Sequence, residues 1–217
     1  MTCKDFGAPL WRPVLLGLSS LLCGCAVMSE SECLTADWYL VGERDGRDGR
    51  PLAHLSQYYD ACSQYGVYPD EEAYRDGRDH GLTVYCTEDG GYQEGRVGLG
   101  YRGVCPAALE PYFLQGYNVG IAVHETLERV HQIDYQVHSA EGQIEDLRSE
   151  IDELESSEGS GEEDHAAAET LKQKYRELGR LEGELEGLHD QKVGAVVSYR
   201  RAVDVARSMG FYERYEY

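Results

Sequence analysis

The sequence predicts a mainly α-helical protein, in which a small disulfide-stapled helical domain with a Gly-rich loop is followed by a long antiparallel coiled-coil helical hairpin. Three observations carry this prediction: four cysteines in the first half, glycines paired at a spacing of four residues, and heptads of apolar residues in the last third. We assign residues 1–24 to a signal peptide, 25–120 to the helical domain, 121–209 to the hairpin and 210–217 to a C-terminal tail.

Residues 1–24 have the composition of a signal peptide. Lys4 and Arg12 precede the apolar run PVLLGLSSLL, which is about ten residues long. A spanning helix needs roughly 20 apolar residues, so a permanent transmembrane helix is the weaker interpretation.

The signal ends in Leu22, Cys23, Gly24 and Cys25, a tetrapeptide that resembles the lipobox of bacterial lipoproteins. The resemblance implies that Cys25 becomes the lipidated first residue of the mature chain. Cys23 stands where Ala or Ser is usual, and it is small enough for that position. Several acyl chains, at about 0.8 kcal/mol per buried CH2, hold a protein firmly on a bilayer. Ala26 follows where an Asp would favour the inner membrane, so the resemblance implies an anchor on the periplasmic face of the outer membrane.

The mature chain is strongly acidic. The whole sequence has 20 basic and 40 acidic residues, and removal of Lys4, Arg12 and Asp5 leaves 18 and 39, a net charge of −21 over 193 residues. We therefore expect no nucleic acid among its partners.

Three of the seven cysteines are accounted for by the signal and the lipid. The remaining four are Cys33, Cys62, Cys86 and Cys105. In an oxidising periplasm they predict two disulfides, with three possible connectivities. A zinc site is the rival interpretation, but the intervals of 28, 23 and 18 residues contain no CxxC pair.

Two helices are expected before residue 70. Glu32 follows Ser29 by three residues, a capping box that opens a helix through CLTADWYLVGERDG. The stretch HLSQYYDACSQYG predicts the second helix. If the two form an antiparallel hairpin about the turn at residues 46–51, Cys33 faces Cys62.

Such a hairpin favours one of the three connectivities. We predict disulfides between Cys33 and Cys62 and between Cys86 and Cys105, each contributing on the order of 3 kcal/mol. The segment between the second pair, TEDGGYQEGRVGLGYRGV, has six glycines in 18 residues and no apolar period. It predicts a loop or irregular hairpin that serves as a stapled structural loop, with ligand contact as the alternative.

Two further helices flank this loop. Asp70 can cap a third helix, with Glu71 and Glu72 in its first turn. A fourth helix is expected from Pro106, although Pro111 departs from a smooth helical pattern.

Glycines recur in three similar segments, which are Tyr39-x-x-Gly42-x-x-x-Gly46, Tyr74-x-x-Gly77-x-x-x-Gly81 and Phe113-x-x-Gly116-x-x-x-Gly120. A mid-helix glycine costs about 1 kcal/mol relative to alanine, so these six glycines need a compensating interaction. We predict close approach of helix backbones at all six; the alternative is that Gly46 and Gly81 end their helices. The string RDGRD, at residues 44–48 and 75–79, is interpreted as solvated ion pairs.

These segments resemble the bacterial lipoprotein family called domain of unknown function 2799. The resemblance covers roughly residues 29 to 130 and rests on SECLTADWYLVGERDG, ACSQYGVYPDEEAYRDGRDHGLTVYC, GYQEGRVGLGYRGVCP and the aromatic, glycine-bearing helix that follows. It implies a compartment and a module, but it supplies no activity and no catalytic residues.

Heptads organise the last third of the chain. The first seam is Val123, Thr126, Val130, Ile133, Val137, Ala140, Ile144, Leu147, Ile151 and Leu154. The second seam is Leu171, Leu178, Leu181, Leu185, Leu188, Lys192, Ala195, Tyr199, Ala202, Ala206 and Met209. The polar break SSEGSGEED at 156–164 predicts a turn between two arms of about 50 Å. An intermolecular dimer is the alternative.

This folding sets a register between the two arms and makes the tip acidic. Thr126 is expected near Ala195, Ala140 near Leu181 and Ile144 near Leu178. Between residues 141 and 164 there are 11 acidic residues and a single base. The default is a solvated tip; the alternative is a docking surface for a basic protein partner or divalent cations.

Three histidines, His124, His131 and His138, recur about 10 Å apart at one heptad position. We interpret them as exposed side chains, with a pH-responsive contact as the alternative.

No catalytic motif is recognisable. The sequence has neither GxSxG nor HExxH, and bridged cysteines leave no reactive thiol. We expect no enzymatic activity, no cofactor and no metal site; an envelope hydrolase without a recognisable motif is the alternative.

The prediction is a membrane-anchored, non-catalytic structural or interaction protein whose coiled-coil arm contacts another envelope protein. A lipoprotein that binds a small ligand or a divalent cation through the Gly-rich loop or the acidic tip is the alternative.

Overall fold

Helices account for most of the described part of the chain. The computed structural model describes residues 27–157, 164–214 and 216, and over these residues it has seven α-helices and no strand. The helices are α1 (Glu30–Thr35), α2 (Trp38–Arg47), α3 (Leu55–Ser63), α4 (Glu71–Tyr85), α5 (Glu88–Arg96), α6 (Glu110–Ser157) and α7 (Asp164–Ser208). The mainly α fold class is confirmed. The predicted signal peptide, Cys25 and residues 158–163 of the predicted tip lie outside the described residues.

The helix predicted from Ser29 is two helices. The capping box is present, since the Ser29 amide donates to Glu32 Oε2 at 2.7 Å. The chain then breaks at Ala36 because Asp37 caps a new helix, accepting from the Leu40 amide at 3.1 Å. The first turn of α2 therefore starts from its own cap.

The two disulfides join Cys33 to Cys62 and Cys86 to Cys105, the connectivity that the sequence predicts, with Cα atoms 5.5 and 5.6 Å apart. The first bridge ties α1 to the end of α3. A short 3-10 turn at Leu52–His54 leads into α3. Helix α4 begins after Asp70, whose carboxylate accepts from the Ala73 amide at 3.0 Å.

The glycine-rich segment after Cys86 is not wholly a loop. Thr87 caps α5 by accepting from the Gly90 amide at 3.0 Å, and the helix continues to Arg96. The expectation of a loop is therefore wrong for residues 88–96. The chain is irregular only from Val97, and Gly98 turns it with φ at 75°.

Helix α6 begins at Glu110 rather than at Pro106, and it runs for 48 residues. Pro111 lies in its first turn, where a missing amide removes no helical hydrogen bond. The expected boundary between residues 120 and 121 lies inside this continuous helix.

Helices α6 and α7 pack antiparallel. Arg148 pairs with Glu182 at 2.6 Å towards the tip, and Lys192 pairs with Asp134 nearer the base. From residue 123 onward, the buried residues of α6 are Val123, Leu127, Val130, Ile133, Val137, Ala140, Ile144, Leu147 and Ile151. Those of α7 are Leu181, Leu188, Ala195, Tyr199, Val203 and Ala206. We call residues 123–206 the hairpin arm.

The register of the arm follows the predicted one at its base. Thr126 and Ala195 line one groove, and Ala140 and Leu181 line the next. Towards the tip, Ile144 lines a groove with Leu185, although Leu178 belongs to the same apolar cluster. Met209, expected on the second seam, lies just after the end of α7 and is 37% exposed.

The C-terminal tail packs back on the body. Phe211 stacks on Tyr92 with ring centroids 4.0 Å apart. Glu213 accepts from the Tyr92 hydroxyl at 2.6 Å and from Arg96 Nε at 2.7 Å. The end of the arm is therefore tied to α5.

Candidate functional site

Helices α2 and α4 cross with their backbones in contact at four predicted glycines. A Cβ at Gly42 would lie 2.0 Å from the Tyr74 carbonyl oxygen, and one at Gly77 would lie 1.9 Å from that of Tyr39. Gly46 and Gly81 meet the carbonyl oxygens of Arg78 and Glu43 in the same way, at 2.2 and 2.1 Å. The contacts advance together along both helices, so the pair is parallel. Only glycine fits at these four positions, and Cα–H···O=C contacts accompany such close crossings.

Helices α5 and α6 repeat this arrangement. Gly116 and Gly120 meet the carbonyl oxygens of Glu88 and Tyr92, at Cβ distances of 1.8 and 2.2 Å. Their partners on α5 are Gly91 and Gly95, at 1.9 and 2.3 Å from the α6 carbonyls. Sequence reasoning missed these two glycines because their segment lacks both an aromatic residue at the first position and an apolar period.

The two helix pairs are copies of one unit. Gly42, Gly46 and Gly49 have the spacing of Gly91, Gly95 and Gly98, and each set ends its helix with a positive-φ glycine, at 59° and 75°. A Cβ at Gly49 would meet the Tyr85 ring, and one at Gly98 would meet the His124 ring. Each ring lies eight residues after the first packed glycine of its helix, which is Gly77 in α4 and Gly116 in α6. In each unit a disulfide joins the segment before the first helix to the segment before the second.

A fully buried carboxylate, Asp45, holds the first unit together. The Tyr58 hydroxyl donates to its Oδ2 at 2.9 Å and the Tyr74 hydroxyl at 2.7 Å, so one side chain of α2 binds α3 and α4. Arg50 Nε lies 3.6 Å from Oδ1. Burial raises the pKa of Tyr58 and of Tyr74, and the neighbouring Asp45 raises both further. Both hydroxyls therefore stay protonated and act as donors at neutral pH.

The second unit lacks this network although it retains the acid. Glu94 occupies the position of Asp45, one residue before the second packed glycine. Phe113 stands where the first unit has Tyr74, so the second hydroxyl is missing. Among the described residues, Glu94 Oε2 and the Tyr85 hydroxyl are buried without a hydrogen-bond partner.

The two RDGRD strings are not simply solvated ion pairs. Asp45 and Arg78, one from each string, are the buried charged side chains of the described residues. Arg78 donates through Nε and Nη2 to the Arg50 carbonyl oxygen, at 3.0 and 2.8 Å. Both residues are adjacent in sequence to the packed glycines. Their position on the glycine-bearing face of each helix could therefore have predicted that they are buried.

The three arm histidines have separate environments. His124 is half-buried against Gly98, His131 lies 3.3 Å from Glu128, and His138 Nδ1 contacts the Asp134 carbonyl oxygen at 2.8 Å. Over the described part of the chain, no three His, Cys, Asp or Glu side chains converge as a metal site would require. Over the same part, no helix combines the length and the apolar content needed to cross a bilayer.

Comparison with known proteins identifies the domain that contains the two units. Residues 37–122 match the family model described as "Protein of unknown function (DUF2799)". The match begins at the cap of α2 and ends just after Gly120, so it includes both glycine-packed pairs. No curated protein and no solved structure matches the chain.

Proposed function

We propose that this chain, whose residues 37–122 belong to the DUF2799 family of proteins of unknown function, is a lipid-anchored, non-catalytic interaction protein of the cell envelope. The family domain is the rigid base, and the hairpin arm is the element that contacts another envelope protein.

One observation carries the proposal: α6 belongs to both parts. Its first turns pack on α5 through Gly116 and Gly120, and the same helix continues without a break to Ser157 at the tip. At 1.5 Å per residue, its 48 residues extend about 72 Å. A docking event on the arm is therefore held in a fixed orientation relative to the body.

The polar interior supports a structural role for the domain. The Asp45 carboxylate accepts hydrogen bonds from Tyr58 of α3 and Tyr74 of α4. Arg78 of α4 donates to the Arg50 carbonyl oxygen in the turn after α2. A carboxylate that holds three helices in place is suited to rigidity rather than to turnover of a substrate.

The proposed anchor at Cys25 leaves a very short tether. Met28, three residues later, is already buried with Cys33 and Tyr58 in the core of the first unit. Three residues span at most about 11 Å, so the acylated end would hold the body directly against the bilayer.

Two measurements test the proposal. Mass analysis of the native protein should find a chain that begins at an acylated Cys25; an unmodified residue 25 would remove the anchor from the proposal. Crosslinking in intact cells should capture an envelope protein with the full chain and lose it when residues 143–186 are replaced by a loop of about four residues, a usual helix-connection length.

This deletion is chosen from the packing. It joins Gly142 to Gly187 and removes the distal apolar cluster around Ile144, Leu147, Ile151 and Leu181, while the cluster at the base, with Val123, Val130, Tyr199 and Val203, remains. An unchanged partner with calcium-dependent melting of the full chain would instead support the cation-binding alternative. The thermal unfolding of both forms is the control for an intact body.

A further inference from the structure

The outer face of α7 carries a stripe of small and charged residues, most of which are exposed. The face is exposed except at Gly187, which is half-buried. Gly187 and Gly194 lie at its flank, where they line grooves together with residues of α6. Its members at heptad spacing are Lys172, Arg176, Gly179, Gly183, Gly187, Asp190, Gly194 and Val197. Val193 and Val197 are 65% and 52% exposed on or beside it.

The glycines of this face differ from those of the body. Every glycine at the two body crossings would place a Cβ against a backbone atom of the neighbouring helix. At Gly179, Gly183, Gly187 and Gly194 a Cβ would meet no described atom within 4 Å. Each costs about 1 kcal/mol relative to alanine in a helix interior, and no contact among the described residues offsets it.

The charges on this face are self-complementary about Gly183. In an antiparallel crossing of two copies centred there, Gly179 faces Gly187 of the second copy, and Arg176 faces Asp190. A parallel crossing would instead set Arg176 against Arg176 and Asp190 against Asp190, which is unfavourable. Asp190 is exposed, and the Arg176 guanidinium contacts only the carbonyl oxygen of Lys172 among the hydrogen bonds and ion pairs of the described residues.

We propose that the outer face of α7 is a homodimer interface, in which α7 crosses α7 of a second copy in an antiparallel direction with the two Gly183 residues at the centre. The crossing uses the same backbone-to-backbone contact that α2 makes with α4 and α5 makes with α6. It brings the two arms side by side and puts the two bodies at opposite ends. Two anchored copies satisfy this geometry when their arms lie along the membrane surface. The inference does not depend on the proposed envelope partner.

Sedimentation of the mature full-length chain tests the interface. Wild type and Gly142→Leu, a matched exposed glycine on α6, should sediment as dimers at micromolar concentration. Gly183→Leu should raise the dimer dissociation constant about tenfold or more, while its helix content stays unchanged. A monomeric wild type, or a Gly183→Leu variant that dimerises as wild type does, would overturn the proposal.

Charge reversal tests the direction of the crossing. Arg176→Asp should weaken the dimer, and the double variant Arg176→Asp with Asp190→Arg should restore it. In cells, Gly183→Cys should form a disulfide with its own copy, whereas Arg176→Cys should not, because the two copies of residue 176 would lie about 21 Å apart along the axis. A crosslink at residue 176 would show a parallel pair, and capture of a different protein at residue 183 would show another occupant; either result contradicts the antiparallel homodimer.

Discussion

The substitution Gly77→Ala tests the close helix crossing directly. The new Cβ would lie 1.9 Å from the Tyr39 carbonyl oxygen, about 1.5 Å short of the 3.4 Å at which ordinary contact begins. The obstructing atoms are backbone, so no change of rotamer relieves the clash. Helices α2 and α4 must therefore separate, and separation loosens the hydrogen bond from the buried Tyr74 of α4 to Asp45 of α2.

The expected magnitude combines two opposing contributions. Overpacking of an interior costs about 1–3 kcal/mol and occasionally more, and the rigidity of the clashing atoms puts this site at the upper end. The higher helix propensity of alanine relative to glycine offsets about 1 kcal/mol of this cost. We expect Gly77→Ala to lower the free energy of unfolding by about 2 kcal/mol or more.

Urea denaturation of the oxidised chain, followed by far-UV circular dichroism, measures this change. Gly142→Ala is the matched control, because a Cβ there meets no described atom within 4 Å. It should raise the stability by about 0.5–1 kcal/mol. If Gly77→Ala is as stable as wild type or more so, the backbone contact between α2 and α4 is wrong.

Three further predictions concern the first unit. Asp45→Asn should cost about 1–3 kcal/mol in urea denaturation, because two buried tyrosine hydroxyls lose a charged acceptor; an unchanged midpoint would contradict the network. The folded-state pKa values of Tyr58 and Tyr74 are raised above 10, so their contribution to stability is complete below pH 10 and is lost as the pH rises further. The melting temperature should therefore fall steeply above pH 10, and less steeply in Tyr74→Phe than in wild type; equal slopes would refute this origin. Replacement of Cys33 and Cys62 by Ser should cost about 3 kcal/mol by the loop-entropy model, and a loss below about 1 kcal/mol would show that packing alone holds α1 to α3.

The hairpin arm and the disulfides were predictable because their signals are local and repeated. The residues of the first seam are spaced alternately three and four residues apart from Val123 to Leu154, and a turn follows. Few arrangements of the two helices can bury both seams, so the sequence indicates the hairpin. The pairing of Cys33 with Cys62 followed from two short helices joined by one turn.

Helix α5 was not predictable from its own residues. Gly90, Gly91 and Gly95 make it intrinsically a poor helix, and its apolar pattern is weak. Its stability depends on the contact of Gly91 and Gly95 with α6, which is a tertiary interaction about 25 residues away in sequence. Local propensity was overridden by packing.

The buried acid was missed for a related reason. Asp45 occurs in a string rich in charge, where surface ion pairs are the usual outcome. Only its spacing from Gly42 and Gly46 along the helix places Asp45 on the interior face. That spacing is informative only once the two glycines are known to pack against another helix. The acceptors and donors of the network then come from three different helices.

The uninterrupted course of α6 gives the molecule the mechanics of a lever. From Gly120 to Ser157 the helix is about 56 Å long, so a tilt of about 5° at the glycine crossing would move the distal end by about 5 Å. The contacts of Phe211 and Glu213 with α5 brace the returning helix beside the pivot. A small tilt of the body would thus be magnified into a displacement the size of a side chain at the far end.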